Sequence, residues 1–247
     1  MSSHDTAQEQ SRQNQPKMIR IMVVEDHPLL IQGLRRVLEE EADLSIVAEA
    51  ATGEDAVRLA LELEPDVVLM DINLRGKNGL QATYEIKQVY AVDEIAVIVL
   101  TAYHNEEQML HALRAGASAY FPKEVLPSEL IPAVRAVADE NYIIQNEIMT
   151  KADAYRWLLR QVGSATSGVD MAQDAFSPLS TREMEILTLT TQGASNKEIA
   201  ATLMISRQTV KNHMSSVLRK LGVEDRTQAA VLALRHGWVR LDDVRMP

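Results

Sequence analysis

The chain contains no cysteine, so it has neither a disulfide framework nor a thiolate nucleophile or metal ligand. That absence fits a reducing, cytoplasmic setting. No apolar run approaches the roughly 20 residues a membrane span requires, although 46% hydrophobic content is ample for buried cores. The opening residues Met1–Gln15 are polar and rich in Ser and Gln, without the apolar segment of a signal peptide. Residues 1–17 are expected to form a disordered arm. Two nucleotide-binding signatures are also missing. No G-x-G-x-x-G follows the first apolar strand, and no G-x-x-x-x-G-K-[ST] occurs anywhere.

What the chain does carry is divided. At 247 residues it has room for two domains. Net charge is −10, but Ala175–Pro247 alone sums to +3 and the remainder to −13. An acidic first part joined to a basic last part suggests a cation- or protein-facing module tethered to one that meets nucleic acid.

Residues 18–139 read as five repeats of strand then helix. Short apolar runs at Ile19–Val24, Leu44–Ala50, Val67–Met70, Ile95–Leu100 and Ala119–Phe121 are each followed by an amphipathic stretch. Strict alternation of this kind predicts an α/β fold with a doubly wound, five-stranded parallel sheet. Pro132 is compatible with the last helix if it falls in the first turn.

Acidic residues stand at the carboxyl ends of two of these strands: Glu25 and Asp26 after the first, Asp71 after the third. Open α/β sheets place their chemistry at that edge. Three carboxylates brought together repel one another, so the arrangement suggests a bound cation. The fourth strand ends at Thr101 and the fifth is followed by Lys123. The set suits phosphoryl chemistry: Glu25 and Asp26 hold Mg²⁺ beside Asp71, whose oxygen attacks phosphorus. Lys123 and Thr101 then contact phosphoryl oxygens.

Glu25-Asp26-His27-Pro28, Asp71, Thr101-Ala102 and Lys123-Glu124, in that order, resemble the receiver domain of two-component response regulators, which is flavodoxin-like. The resemblance implies that Asp71 accepts phosphate from a sensor histidine kinase and that the Asn73 carbonyl completes the Mg²⁺ site. It also implies switch roles for Thr101 and Tyr120. Two positions depart from the family's pattern. Arg75 stands where proline is common, which bears on loop rigidity beside Asp71. Pro122 precedes Lys123, which bears on how that lysine reaches the site.

Residues 140–176 are expected to be a helical and flexible linker. Ile148, Ala152, Tyr155, Leu159 and Val162 give Asn141–Val162 one apolar stripe, and Gly163–Gly168 is a flexible connector by composition.

Residues 177–242 announce four short helices through their start signals. Ser180 with Glu183, Ser195 with Glu198 and Asp225 with Gln228 have capping spacing, and Ser206 can cap the remaining helix. A compact all-α module this small leaves little room for an enzyme pocket and reads as a helix-turn-helix. Between Arg207 and Leu221, Val210, Met214, Val217 and Leu221 form the inward stripe. The opposite face carries Gln208, Asn212, Ser215 and Arg219, flanked by Lys211. These residue types read base edges and phosphates.

Leu179-Ser180-Thr181-Arg182-Glu183, Asn196-Lys197-Glu198-Ile199-Ala200 and Thr209-Val210-Lys211-Asn212-His213 resemble the DNA-binding domain of LuxR/FixJ/NarL-type regulators. That likeness implies dimeric binding to paired half-sites on double-stranded DNA, with Lys211, Asn212 and Ser215 facing the major groove; Arg207, Gln208, Thr209 and Arg219 complete the expected contact set. It further implies that the last helix, Thr227–His236, can make a dimer contact through Ala230, Val231 and Leu234. Taken together, the expectation is a phosphoacceptor regulator of transcription and not an enzyme acting on small substrates. A phosphotransferase or phosphatase using Asp71, and a constitutive DNA-binding protein, are the rival readings.

Overall fold

The computed structural model describes residues 18–89, 95–102, 104–163 and 179–239. The arm 1–17, the connector beyond Gly163 and the final residues of the last predicted segment lie outside this set.

Strands β1 (Ile19–Val24), β2 (Leu44–Ala50), β3 (Val67–Asp71), β4 (Ala96–Thr101) and β5 (Ala119–Pro122) lie parallel in the order 2-1-3-4-5. Between them run α1 (Pro28–Glu39), α2 (Gly53–Leu63), α3 (Gly79–Val89), α4 (Glu106–Arg114) and α5 (Pro127–Ala138). Strand residues alternate between two cores. Ile21, Val23, Leu69 and Ile98 pack with Leu34 and Leu38 of α1 and with Leu130 and Val134 of α5. Met22, Val24, Met70 and Val99 pack on the other face with Ala56 of α2, Ile86 of α3 and Met109 of α4. Helices on both faces explain why every residue of β3 is buried and why its sequence is a continuous apolar run.

Three details differ from the sequence reading. The sheet has seven strands among the described residues, because β6 (Tyr142–Ile144) pairs parallel with β5 and β7 (Glu147–Met149) returns antiparallel. The stretch Asn141–Val162 is expected to be helical or partly so. Instead Gln145 and Asn146, both at positive φ (51° and 66°), make a two-residue hairpin turn of the kind that matches strand twist. Helix α6 starts only at Lys151 and runs to Gly163. The expected apolar stripe is not the buried one: Ala154 and Trp157 face inward, while Ile148, Tyr155 and Leu159 are exposed. Pro132 lies inside α5 and not in its first turn. It sits on the exposed side, where the carbonyl it leaves without a helical donor can meet water.

The C-terminal module comprises α7 (Thr181–Thr191), α8 (Asn196–Thr202), α9 (Arg207–Leu221) and α10 (Arg226–Arg235). Complete capping boxes at Ser180/Glu183 and Ser195/Glu198 start α7 and α8. Asp225 caps α10 by accepting from Thr227 and Gln228 N–H, while the Gln228 side chain accepts from Glu224 N. Val210, Met214, Val217 and Leu221 are buried, as their spacing requires. Met204 adopts φ 54° in the turn between α8 and α9.

This module packs against α3 and α4. Gln108 donates to the His236 carbonyl at 2.8 Å and Asn78 to the Trp238 carbonyl at 3.4 Å. The His111 ring meets the Trp238 indole edge-on at 4.8 Å, and His236 meets it at 5.1 Å. Burial pushes the His111 imidazole down to about 3, with Arg114 and His236 adding to the effect. Burial likewise holds His236 below its ordinary range, outweighing Glu107 at 3.7 Å and reinforced by Arg235. Both rings are neutral at pH 7 but take up a proton in the unfolded chain below about pH 6.5. The unfolded state therefore binds more protons below about pH 6.5, for His111 down to about 3, and each ring's contribution is complete above the unfolded value and lost as pH falls toward its depressed folded one. Stability should drop on acidification by at most about 1.4 kcal/mol per pH unit for each histidine. Denaturant unfolding at stepped pH checks this: His111→Leu should flatten the slope, and an unchanged slope would refute the assignment.

Candidate functional site

The carboxyl edge of the sheet gathers the residues the sequence singles out. Parallel register places Val24 beside Met70 and Asp71 beside Leu100, so the ends of β1, β3 and β4 open onto one pit. Glu25 and Asp71 are each 1% exposed. One ligand atom from each of Glu25, Asp26, His27 and Asp71 falls within 4.8 Å of the others. The Lys123 ammonium spans the pit, 2.7 Å from Glu25 Oε2 and 2.9 Å from Asp71 Oδ2. Asn73 N–H donates to Asp71 Oδ1 at 3.1 Å and holds the following loop against the carboxylate.

The electrostatics show an excess of negative charge. Burial raises the Asp71 carboxyl above its ordinary range, and Glu25 raises it further, against the pull of Lys123 and the Asn73 N–H. Burial pulls Lys123 down, but Asp71 and Glu25 together outweigh it and hold the ammonium above its usual value. Three carboxylates thus face one lysine, with His27 and the Arg75 guanidinium (3.9 Å from Asp26) at the rim. A hard, oxygen-ligated cation fits this donor set.

Both departures from the family pattern find a physical account. Pro122 is the last residue of β5, beyond the one position where β5 pairs with β6, so its missing N–H is outside that ladder. Lys123 N–H still donates to Thr101 O at 2.8 Å, and its side chain reaches the pit. Arg75 is exposed and replaces a rigid loop residue with a charge beside Asp26.

Thr101 and Tyr120 are both buried and share a hydrogen bond between their side chains. Burial pushes the Tyr120 phenol up to about 12, against hydrogen bonds from Asn105 and Thr101. The His104 ring stacks on Tyr120 at 4.9 Å, a cover that no periodic or motif signal in the sequence announced.

On α9, Arg207, Gln208, Lys211, Asn212, Ser215 and Arg219 all lie on the exposed surface. Gln208 donates to Asn212 Oδ1 at 3.0 Å, which orders the pair before any contact. Thr209 stands apart from the set. It is half-buried, its N–H donates to Ser206 Oγ at 3.0 Å and its hydroxyl meets that oxygen at 2.8 Å, so it serves the cap of α9. Arg182 and Arg226, donating to the Leu203 and Ala194 carbonyls at 2.7 Å each, brace the turns on either side.

Residues 21–135 match the response regulator receiver domain, and residues 177–233 match the luxR family of bacterial regulatory proteins. The transcriptional regulatory protein DegU of Brevibacillus brevis is 37% identical over 228 residues, covering 90% of this chain and 96% of its own. The chain belongs to the luxR-family response regulators. The regulator is also 36% identical to LiaR of Bacillus subtilis, over 89% of this chain and 98% of that one. It shares its fold with RcsB of Salmonella enterica serovar Typhimurium, solved bound to promoter rprA with phosphomimetic BeF3−. That match has a TM-score of 0.54 at 24% identity, covering 86% of this chain and 96% of the other. A receiver coupled to a luxR-type DNA-binding domain supports phosphorylation-controlled regulation of transcription. No helix among the described residues is long and apolar enough to cross a membrane.

Proposed function

We propose that Asp71 takes a phosphoryl group from the phosphohistidine of a sensor histidine kinase and that the acyl phosphate controls dimeric binding of α9 to double-stranded DNA. The observation that carries this reading is the acidic pit bridged by Lys123. An Asp71 carboxylate oxygen forms the new bond to phosphorus as the P–N bond breaks, and the departing electron pair stays on the kinase imidazole. Lys123, 2.9 Å from Asp71 Oδ2, neutralises charge that the arriving phosphoryl group brings. Glu25, Asp26, Asp71 and the Asn73 carbonyl would hold Mg²⁺. When bound, that ion screens the carboxylates from the incoming anion and stabilises the transferring oxygens.

A phosphoryl group on Asp71 offers strong acceptor oxygens. Thr101 is the nearby hydroxyl on the next strand, and drawing it toward the phosphate breaks its bond with Tyr120. Tyr120 packs in the same core as Met109 of α4, and α4 carries Gln108 and His111, which hold His236 and Trp238. The chain of contacts thus links the pit to the seat of the DNA-binding module. Two half-sites about one helical turn apart are the geometry a dimer of such modules would occupy, with α10 available as the dimer contact.

Incubation with acetyl phosphate and Mg²⁺ should add the mass of one phosphoryl group, strengthen retardation of selected operator DNA and raise the dimer fraction. Asp71→Asn should abolish all three changes. A regulator that binds DNA equally with and without phosphate uptake would mark a constitutive binding protein and overturn the proposal.

A further inference from the structure

Away from the phosphoacceptor pit, α6 leans on the receiver and encloses a cavity of about 260 Å³. Tyr84 of α3, Arg114 of α4, Tyr142 of β6 and Lys151, Tyr155 and Leu158 of α6 line it. No acidic residue is among its walls as the described residues form them. The lining is mostly apolar, with three tyrosines and three cationic side chains, the third being Lys87. Lys87 gives its ammonium to the Ile95 carbonyl. Arg114 differs, because its Nε is buried and has no hydrogen-bond partner among the described residues. Arg114 makes no hydrogen bond to any described residue, and because its Nε is closed off from the cavity a ligand acceptor would meet the other guanidinium nitrogens.

We infer that this cavity binds a small aromatic carboxylate, seated between the tyrosines with its carboxylate on Arg114. The volume lies just below the roughly 300 Å³ at which drug-sized sites begin, which suits a single ring with one short acidic arm. A guanidinium fork matches a planar carboxylate in two parallel hydrogen bonds, and the apolar walls favour an aromatic body over a heavily hydrated dianion such as phosphate. Burial holds the Arg114 guanidinium below its usual range, an environment that an anion relieves. The site has two owners: α3, α4 and β6 belong to the receiver, whereas Lys151, Tyr155 and Leu158 belong to the helix that follows it. A bound ligand therefore ties α6 to the receiver.

Ligand-observed NMR titration of the full chain with benzoate and with neutral benzamide tests this. Benzoate should bind at least about tenfold tighter than benzamide. Arg114→Gln should erase that difference, and Leu158→Trp, which puts a bulkier side chain on the lining, should weaken both probes. Phosphate uptake at Asp71 and the circular dichroism of each variant verify folding. Equal affinity for the two probes, no saturable benzoate signal, or unchanged benzoate binding by a folded Arg114→Gln variant would each overturn the inference.

Discussion

A Gly79→Ala variant is expected to lose about 3 kcal/mol of stability and most of its phosphate uptake. A Cβ at this position would lie 1.9 Å from the Asp71 carbonyl oxygen, 2.8 Å from its carbon and 3.0 Å from Ile72 Cα. All three are backbone atoms, so no side chain can swing aside. The loop after β3 doubles back on itself here, with both Leu74 N–H and Gly79 N–H donating to Ile72 O at 3.0 and 2.9 Å. Pushing Gly79 away therefore displaces the peptide that carries Asp71, the proposed phosphoacceptor, and the Asn73 N–H that positions it. Gly33 supplies the control. It lies on α1 with nothing within 4 Å of a built Cβ. Gly33→Ala should be neutral or stabilising by up to about 1 kcal/mol, since alanine lowers the backbone entropy lost in a helix. Thermal unfolding and intact-mass measurement of phosphate uptake separate the two; a Gly79→Ala variant that behaves like Gly33→Ala would disprove the steric argument.

The same region shows which features a sequence reveals. Val67–Met70 announces a strand buried on both faces because four aliphatic residues in a row have no polar side to expose, and the strand is buried throughout. Glu25, Asp26, Asp71, Thr101 and Lys123 could be placed at one edge because parallel strands present all their carboxyl ends together. The C-terminal helices were legible from Ser-x-x-Glu spacing and from the stripe Val210, Met214, Val217 and Leu221. The hairpin at Tyr142–Met149 was not legible, because Gln145-Asn146 lacks the glycine that usually marks such a turn. The inward face of α6 was misassigned for a different reason. Tyr155 and Leu159 recur at helical spacing, yet the surface α6 leans on is set by the β6–β7 hairpin, and that surface selects Ala154 and Trp157. The seat of Trp238 on His111 and the cover of His104 over Tyr120 depend on tertiary approach alone. Thr209 belongs to the expected DNA-contact set, and three residues after Ser206 its N–H also serves the cap of α9.

The second large effect is expected inside the DNA-binding module, at a single carboxylate with two duties. Glu183 Oε2 accepts from Ser180 N at 2.7 Å, closing the cap of α7, and meets the Lys220 ammonium at 2.7 Å in the last turn of α9. The two side chains are only 7% and 10% exposed. Glu183→Ala removes the half of the capping box that satisfies Ser180 N, while Ser180 Oγ keeps the residue-183 N–H, and takes from the largely enclosed Lys220 its carboxylate, which should cost about 3–5 kcal/mol. Lys220→Met should cost less, because Glu183 keeps hydrogen bonds from Ser180 N and Ser216. The double variant should recover stability relative to Glu183→Ala, since it no longer encloses an ammonium. Burial alone would raise the Glu183 carboxyl, but Lys220, Ser216 and the Ser180 N–H outweigh it and hold it below the ordinary value of 4.5. Its folded form therefore gives up its charge at lower pH than the unfolded chain, and its contribution, complete above about pH 4.5, is lost as pH falls through the depressed value. Glu183→Ala should remove that acid-side component from the stability of the module. Because α9 carries Lys211, Asn212 and Arg219 on its open face, loosening its last turn from α7 should also weaken operator binding under conditions where the variant remains folded. Calorimetry of the two single variants and the double, beside gel retardation, reads both consequences. A double variant no more stable than Glu183→Ala would show that the enclosed charge of Lys220 is not the source of the loss.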